Sequence, residues 1–320
     1  MKIDVQQAAE FLKANDDYLI LMHASPDGDT LGCGHALCGA LQRMGKRAKA
    51  VCPDEIPHKF DYLFEAVKEQ KFEPKNVVCV DVADTKLLGD MKAVGDTAKL
   101  CIDHHETNRD YAEMTFIHPE YAAACELVYE VITELGVPID QKIANCLYTG
   151  MATDTGCFKF SNTTPQTHIY AAEMMKRGAE YAKINYIHFD RKTQGRLKLE
   201  QEVLNKIRYF EGGRVALISV PLALIESLPD VDSDDVGALA NIPRQIEGVD
   251  IGICVKERKK GFFKVSLRTS ALVNAAKVCE KLGGGGHDRA AGCSFKGVIE
   301  DAENKVVEAA CEAVRSALGK

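Results

Sequence analysis

Three short apolar runs in the first third of the chain each pass directly into an acid or a histidine. No other feature restricts the fold as much. Residues 18–22 (YLILM) lead into His23-Ala-Ser-Pro-Asp27-Gly28-Asp29, residues 77–80 (VVCV) into Asp81, and residues 99–102 (KLCI) into Asp103-His104-His105. Apolar runs this short, alternating with helix-like stretches, read as strands buried on both faces, hence a parallel sheet covered by helices. Between them, residues 30–44 repeat Leu31, Leu37, Leu41 and Met44 at helical spacing, and residues 48–51 read as a further strand. Residues 122–135, 143–153 and 165–177 continue as helices, the second running into a fourth acid, Asp154. Open sheets of this kind bind ligands outside the carboxyl ends of their strands. The acids and histidines are therefore expected at one edge.

The second half changes character. Residues 191–208 are charged and helix-prone, with Leu197, Val203, Leu204 and Ile207 as their apolar positions, and read as a connector. Residues 214–220 form a strand pattern, and residues 251–257 and 261–268 a hairpin across a Lys-Lys-Gly turn. A helix over 271–282 leads into four consecutive glycines, and the chain closes with a helix over 301–318. The expected fold class is α/β: an N-terminal domain over 1–186 with a parallel sheet flanked by helices, a helical linker over 187–210, and a smaller C-terminal α+β domain over 211–320 across a cleft.

Composition decides the partner class. The net charge is −7, whereas long nucleic acids are held by many Lys and Arg contacts to phosphate. Any phosphate bound here must rest on a metal cluster and a few placed cations, which favours a short substrate. The twelve cysteines are scattered singly with no C-x-x-C pair, and read as buried reduced thiols rather than disulfides or zinc ligands. No signal-peptide core or membrane-length apolar run occurs, so a cytoplasmic protein without membrane contact is expected.

Taken singly, each acid has a simpler explanation: an Asp at the end of a strand is commonly a helix cap or turn residue. Taken together, that many carboxylates at one sheet edge repel strongly unless cations sit among them. Oxygen and imidazole donors without thiolates suit Mn²⁺, Mg²⁺, Fe²⁺ or Zn²⁺. Asp27 and Asp29, one residue apart, can be aimed at adjacent ions, with Gly28 permitting the tight turn. His105 is assigned to the scissile phosphate and Asp103 to orienting a neighbouring histidine. In the second half, Gly284, Gly285 and Gly286 allow backbone N–H groups to approach an anion, His287 adds a donor, and Arg268 can grip a phosphate. Arg109 and Arg289 are weaker helpers, read first as surface cations.

The series His23-x-x-x-Asp27-x-Asp29, Asp81, Asp103-His104-His105 and Asp154 resembles the four motifs of the DHH phosphoesterase family. Gly284-Gly285-Gly286-His287-x-x-Ala290-Ala291-Gly292, with Ser266-Leu267-Arg268, resembles the glycine-rich and strand motifs of the DHH-associated C-terminal domain. The resemblance spans the chain in the right order. It implies two Mn²⁺ ions, with Mg²⁺ or Co²⁺ as substitutes: one on His23, Asp27 and Asp81, the other on Asp29, Asp81, His104 and Asp154. It also implies that Arg268, Gly284, Gly285, Gly286 and His287 hold the substrate away from the cut. The expected activity is hydrolysis of short single-stranded RNA or DNA oligonucleotides to mononucleotides, with small nucleotides such as 3′-phosphoadenosine 5′-phosphate as further substrates; a homodimer is left open. A cyclic di-AMP or pApA phosphodiesterase is the alternative within the family, and a non-catalytic nucleotide-binding regulator the alternative outside it. A pyrophosphatase or polyphosphatase is disfavoured by the glycine-rich motif, a RecJ-type exonuclease by length, and a Rossmann dehydrogenase by the lack of G-x-G-x-x-G.

Overall fold

A computed structural model describes residues 1–231 and 233–319. The chain divides into two compact units, Met1–Arg191 and Lys192–Lys320. Among the described residues no helix is long and apolar enough to cross a membrane. All twelve cysteines are free thiols, ten of them buried.

The first unit opens with α1 (Val5–Ala14), started by a reciprocal cap between Asp4 and Gln7. Five strands follow: β1 (Tyr18–Leu21), β2 (Ala48–Val51), β3 (Asn76–Val80), β4 (Leu100–Asp103) and β5 (Met114–Ile117). They form one parallel sheet in the order β2-β1-β3-β4-β5. Because every pairing is parallel, the three acid-bearing runs end on the same edge. The order also reverses between β1 and β3, since β2 lies on one side of β1 and β3 on the other. That reversal opens the crevice where ligands bind in this class of sheet, and His23 and Asp81 follow these two strands.

One sheet face, with Tyr18, Ile20, Val78, Val80, Leu100 and Ile102, packs against the larger helices. These are α2 (Gly28–Arg43) and, beyond the short α3 (Lys92–Gly95), α4 (Ala124–Glu134), α5 (Gln141–Asp154) and α6 (Pro165–Lys176). α2 is buried from Gly28 to Leu41 and lies so close to α5 that a Cβ on Gly32 would sit 2.4 Å from the Cys146 carbonyl oxygen. The opposite face, with Leu19, Leu21, Val77, Cys79 and Cys101, is covered by Val82, Leu88, Ala98 and Ala112 from the 3-10 turns and loops around α3. The sheet is thus covered on both faces, one by long helices and one by a thinner layer. β5 goes beyond the strands expected from sequence; its four residues carry no alternation or terminal acid to mark them. The unit ends in α7 (Tyr181–Asn185) and a π-helical turn, Tyr186–Asp190.

The second unit starts with α8 (Gln194–Asn205), whose Leu199 and Val203 are buried with Ile218, Val220 and Leu239. Its six strands are β6 (Arg208–Phe210), β7 (Val215–Val220), β8 (Ile251–Lys259), β9 (Phe262–Thr269), β10 (Gly285–Gly286) and β11 (Ala290–Lys296), in the order β10-β11-β9-β8-β7-β6. β7 and β8 are parallel and the other pairings antiparallel. The short α9 (Leu222–Glu226) and α10 (Ser233–Ala238) follow β7, and α11 (Ala275–Glu280) and α12 (Ile299–Ala317) complete the unit. α11 starts later than the expected 271, because the Asn274 side chain accepts from the Lys277 N–H and sets the first turn there. This mixed sheet with helices is the α+β arrangement expected.

Candidate metal centre

His23, Asp27, Asp29, Asp81, His104, His105 and Asp154 converge at the carboxyl edge of the first unit's sheet. His23 Nε2 lies 3.5 Å from Asp81 Oδ2 and 3.8 Å from Asp27 Oδ1. His104 Nε2 lies 3.4 Å from Asp154 Oδ2, 3.6 Å from Asp81 Oδ1 and 3.8 Å from Asp29 Oδ2. These separations are long for hydrogen bonds but match two ligands that each sit roughly 2.0–2.2 Å from a shared ion. Two sets of donors, His23–Asp27–Asp81 and Asp29–His104–Asp154, are each compact enough to hold one cation, and a third, Asp81–His104–His105, overlaps both regions.

Asp81 sits at the centre. It is 3% exposed and its Oδ1 has no hydrogen-bond partner. Its backbone adopts a left-handed φ of 58°, a conformation Asp tolerates better than most residues, while its N–H still bonds the Ile102 carbonyl. Burial, then the charges of Asp29, Asp27, Asp154 and Asp103, push its carboxyl well above the usual range. Asp154, the last residue of α5, is raised by burial and by Asp29 and Asp27. Asp29 is raised by burial first and by Asp27, with His104 opposing. The carboxylates are mutually unneutralised, and an orphaned buried oxygen lies among them. That donor set fits divalent cations.

Backbone groups fix the ligands. The His23 ring bonds through Nδ1 to the Ala24 carbonyl at 2.8 Å, and His104 through Nδ1 to the Tyr121 carbonyl at 3.1 Å. Both contacts leave Nε2 facing the carboxylates, as ligating histidines are commonly held. Asp29 accepts from the Ala124 and Cys125 N–H groups at 2.6 and 3.0 Å, at the start of α4. Glu126 steadies that turn: its Oε1 accepts from the Ala122 N–H and the Thr167 hydroxyl, and burial pushes its carboxyl up to about 7. The backbone contacts are not legible in the sequence, since a carbonyl or amide position carries no residue type.

Asp27 does two things. Its Oδ1 accepts from the Asp29 and Thr30 N–H groups, so it caps α2 while standing beside His23. The expected reason for Gly28 is corrected: its φ is not left-handed, and its side chain is excluded because a Cβ would meet Thr153 Oγ1 at 2.4 Å. Asp103 is fully buried and accepts from the backbone of His104 and His105, from His105 Nδ1 at 2.8 Å and from the Asn108 amide. Although burial opposes it, the hydrogen bond and charge of His105 hold Asp103 below the usual carboxylate range. The same bond raises the His105 imidazole, whose ring is 42% exposed.

The second unit gathers the other predicted residues at one end of its sheet. Arg268 pairs in register with Ala290, Gly286 with Ala291, and Gly285 with Gly292. Arg268 bonds the Asn241 side chain and the Leu267 carbonyl, while His287 is exposed on the turn closed by its N–H to Ala290. Two of the glycines have packing reasons: a Cβ on Gly284 would lie 2.2 Å from the Gly292 carbonyl oxygen, and one on Gly286 2.5 Å from Ala291 Cα. Arg289 is committed to the Ser270 and Val273 carbonyls, and Arg109 is an exposed cation near Asp84.

Residues 17–151 match the DHH family, N-terminal domain, and residues 222–317 the DHHA1 domain. The chain is 32% identical over 313 residues to the bifunctional oligoribonuclease and PAP phosphatase NrnA of Thermus thermophilus, covering 95% of this chain and 92% of that one. This chain belongs to the DHH family. A second DHH relative, the protein of the same description from Bacillus subtilis, is 26% identical over 289 residues, 88% of this chain and 90% of that one. The solved structure of an exopolyphosphatase-related protein from Bacteroides fragilis superposes with a TM-score of 0.88 at 25% identity, covering 99% and 97% of the two chains. RecJ from Thermus thermophilus, solved with Mn²⁺, shares the fold at a TM-score of 0.61 and 15% identity, over 97% of this chain and 55% of that one. As a DHH phosphoesterase, the chain is a metal-dependent hydrolase of phosphate ester bonds.

Proposed function

We propose that this chain is a Mn²⁺-dependent exonuclease that degrades short oligoribonucleotides to mononucleotides and also removes the 3′-phosphate of 3′-phosphoadenosine 5′-phosphate. The observation that carries the reading is the meeting of Asp27, Asp29, Asp81 and Asp154 with His23 and His104 around an unpaired, buried Asp81 oxygen. His23, Asp27 and Asp81 would hold one ion, and Asp29, Asp81, His104 and Asp154 the other. Bound there, two divalent cations supply the positive charge that polarises a phosphate ester and acidifies water.

The protein's own groups do the rest. The Ala24 and Tyr121 carbonyls keep His23 and His104 in the tautomer that presents Nε2, and the amides of Ala124 and Cys125 orient Asp29. His105, its imidazole raised by the hydrogen bond to Asp103, faces the scissile phosphate and steadies negative charge on it. In the second unit, Arg268 and His287 anchor a phosphate remote from the cut, with the backbone of Gly284, Gly285 and Gly286 beside them. The named relatives support this substrate class.

The test is product analysis with Mn²⁺ on 5′-labelled RNAs of two, five and twenty nucleotides, beside 3′-phosphoadenosine 5′-phosphate. The reading predicts fast release of mononucleotides from the two shorter RNAs and turnover of the small nucleotide. Equal rates on all three lengths, or hydrolysis of pApA alone, would overturn it.

A further inference from the structure

In the second unit's sheet, strand alternation sends Ile251, Ile253 and Val255 of β8, Val265 and Leu267 of β9 and Ala291 of β11 into the core shared with α11 and α12. Three adjoining rows of the opposite face are fixed by the register. They are Gly252–Arg268–Ala290, Cys254–Ser266–Gly292 and Lys256–Lys264–Ser294. Three cations stand in these rows with small residues between them and no acid in any row, and the next row, Lys259–Phe262–Lys296, adds two more.

The third row is the anomaly. Residues directly opposite on antiparallel strands have Cβ atoms about 4.5–5.5 Å apart, and like charges so placed are destabilising. Lys264 is exposed, but Lys256 is only 5% exposed. Burial first, and then the cations Lys264, Arg258 and Arg268, weaken the hold of Lys256 on a proton, with Cys254 on the same strand opposing. Beside the row opens a cavity of about 420 Å³, its walls including Lys264, Gly292, Ser294, Gly283, Gly284 and Gly285.

We propose that Lys264 and Ser294, with Lys256 adding positive charge from the neighbouring strand, form a second phosphate subsite that takes a further backbone phosphate of an oligonucleotide. The inference rests on the phosphodiesterase reading and extends its anchor at Arg268 and His287. Lys264 and Arg268 are four residues apart on one strand, roughly 13 Å at about 3.3 Å per residue. A ligand must therefore carry at least two phosphates to engage both. These three rows hold no aromatic side chain, and the Phe262 ring in the next row lies under the Lys259 ammonium, so the subsite reads the backbone rather than the bases.

The full-length protein, kept metal-free by chelation so that nothing is cleaved, is titrated calorimetrically with a 5′-phosphorylated trinucleotide and with a 5′-mononucleotide at several salt concentrations. Lys264→Gln is expected to weaken trinucleotide binding by about 5- to 10-fold and to flatten the slope of log K against log salt by about 0.7, the value for one lost phosphate contact on a single strand. Mononucleotide binding falls less than twofold, and Lys264→Arg restores the slope. An unchanged trinucleotide affinity and slope, or equal loss for both ligands, overturns the subsite. Failure of the phosphodiesterase reading shows separately, as wild-type protein that cleaves no oligonucleotide when Mn²⁺ is restored.

Discussion

Replacing Asp81 by Asn should stabilise the metal-free protein and at the same time abolish its response to metal. In the structure the Asp81 carboxylate is buried among Asp27, Asp29 and Asp154, with an oxygen that bonds nothing. Two unit charges 4 Å apart repel by about 4 kcal/mol at an effective dielectric of about 20, so removing one carboxylate relieves an energy of that order. The amide keeps the size of the side chain, and proton uptake by the wild-type cluster reduces the gain to roughly 1–3 kcal/mol. Metal acts in the opposite sense. At a free concentration a hundredfold above its dissociation constant, a ligand that binds only the folded state adds about 2.7 kcal/mol. For the first unit, Met1–Arg191, unfolding by itself, that is a rise of roughly 5–10 °C in melting temperature. Thermal unfolding of both proteins in chelator and in excess Mn²⁺ reads all four states. The expectation is a variant at least as stable as wild type in chelator, with most of the Mn²⁺ shift gone. An Asp81→Asn variant that melts several degrees lower in chelator yet keeps the full Mn²⁺ shift refutes the account of Asp81.

Three further outcomes follow from particular contacts. The Glu126 carboxyl is pushed up to about 7 by burial, above its unfolded value, so the stability it contributes is full below about pH 4.5 and is lost as pH rises to about 7. Glu126→Gln should remove up to about 3 kcal/mol of that dependence, seen as a flatter profile of unfolding free energy between about pH 5 and 7. Asp103→Asn deprives His105 of its charged acceptor and should lower kcat by about 10–100-fold, with metal content by elemental analysis unchanged. Gly28→Ala drives a methyl into Thr153 and should cost roughly 1–3 kcal/mol in denaturant unfolding, whereas a variant with wild-type stability would mean that α2 and α5 shift apart freely.

Except for Asp154, which ends the helix α5, the acids are legible in the sequence because each lies just beyond an apolar run too short for a helix, and parallel pairing then places every run's end at one edge. The order of β1, β2 and β3, which makes the crevice, is not legible; nothing in the runs says which pairs with which. Asp27 reads from sequence as either a cap or a ligand, yet its geometry shows one oxygen capping α2 beside His23. What holds the site is hidden for a simpler reason. The Tyr121 and Ala24 carbonyls and the Ala124 and Cys125 amides act through the backbone, which any residue supplies. In the second unit, β10 is a pair of glycines and β11 reads AAGCSFK, so neither has the β-branched content that marks a strand. Gly284 and Gly286 read from sequence as an anion cradle, and part of their necessity lies instead in how closely β11 packs against them.

The central claim is that phosphate-ester hydrolysis by this chain runs on cations held by the cluster around Asp81. It is tested most directly by stripping the protein with chelator and following mononucleotide release from a 5′-labelled pentanucleotide RNA as Mn²⁺ is restored, for wild type and Asp81→Ala side by side. The account predicts no release without metal, recovery with Mn²⁺ in the wild type, and none at any Mn²⁺ concentration in the variant. Release that survives thorough chelation, or a variant that recovers like the wild type, would contradict it.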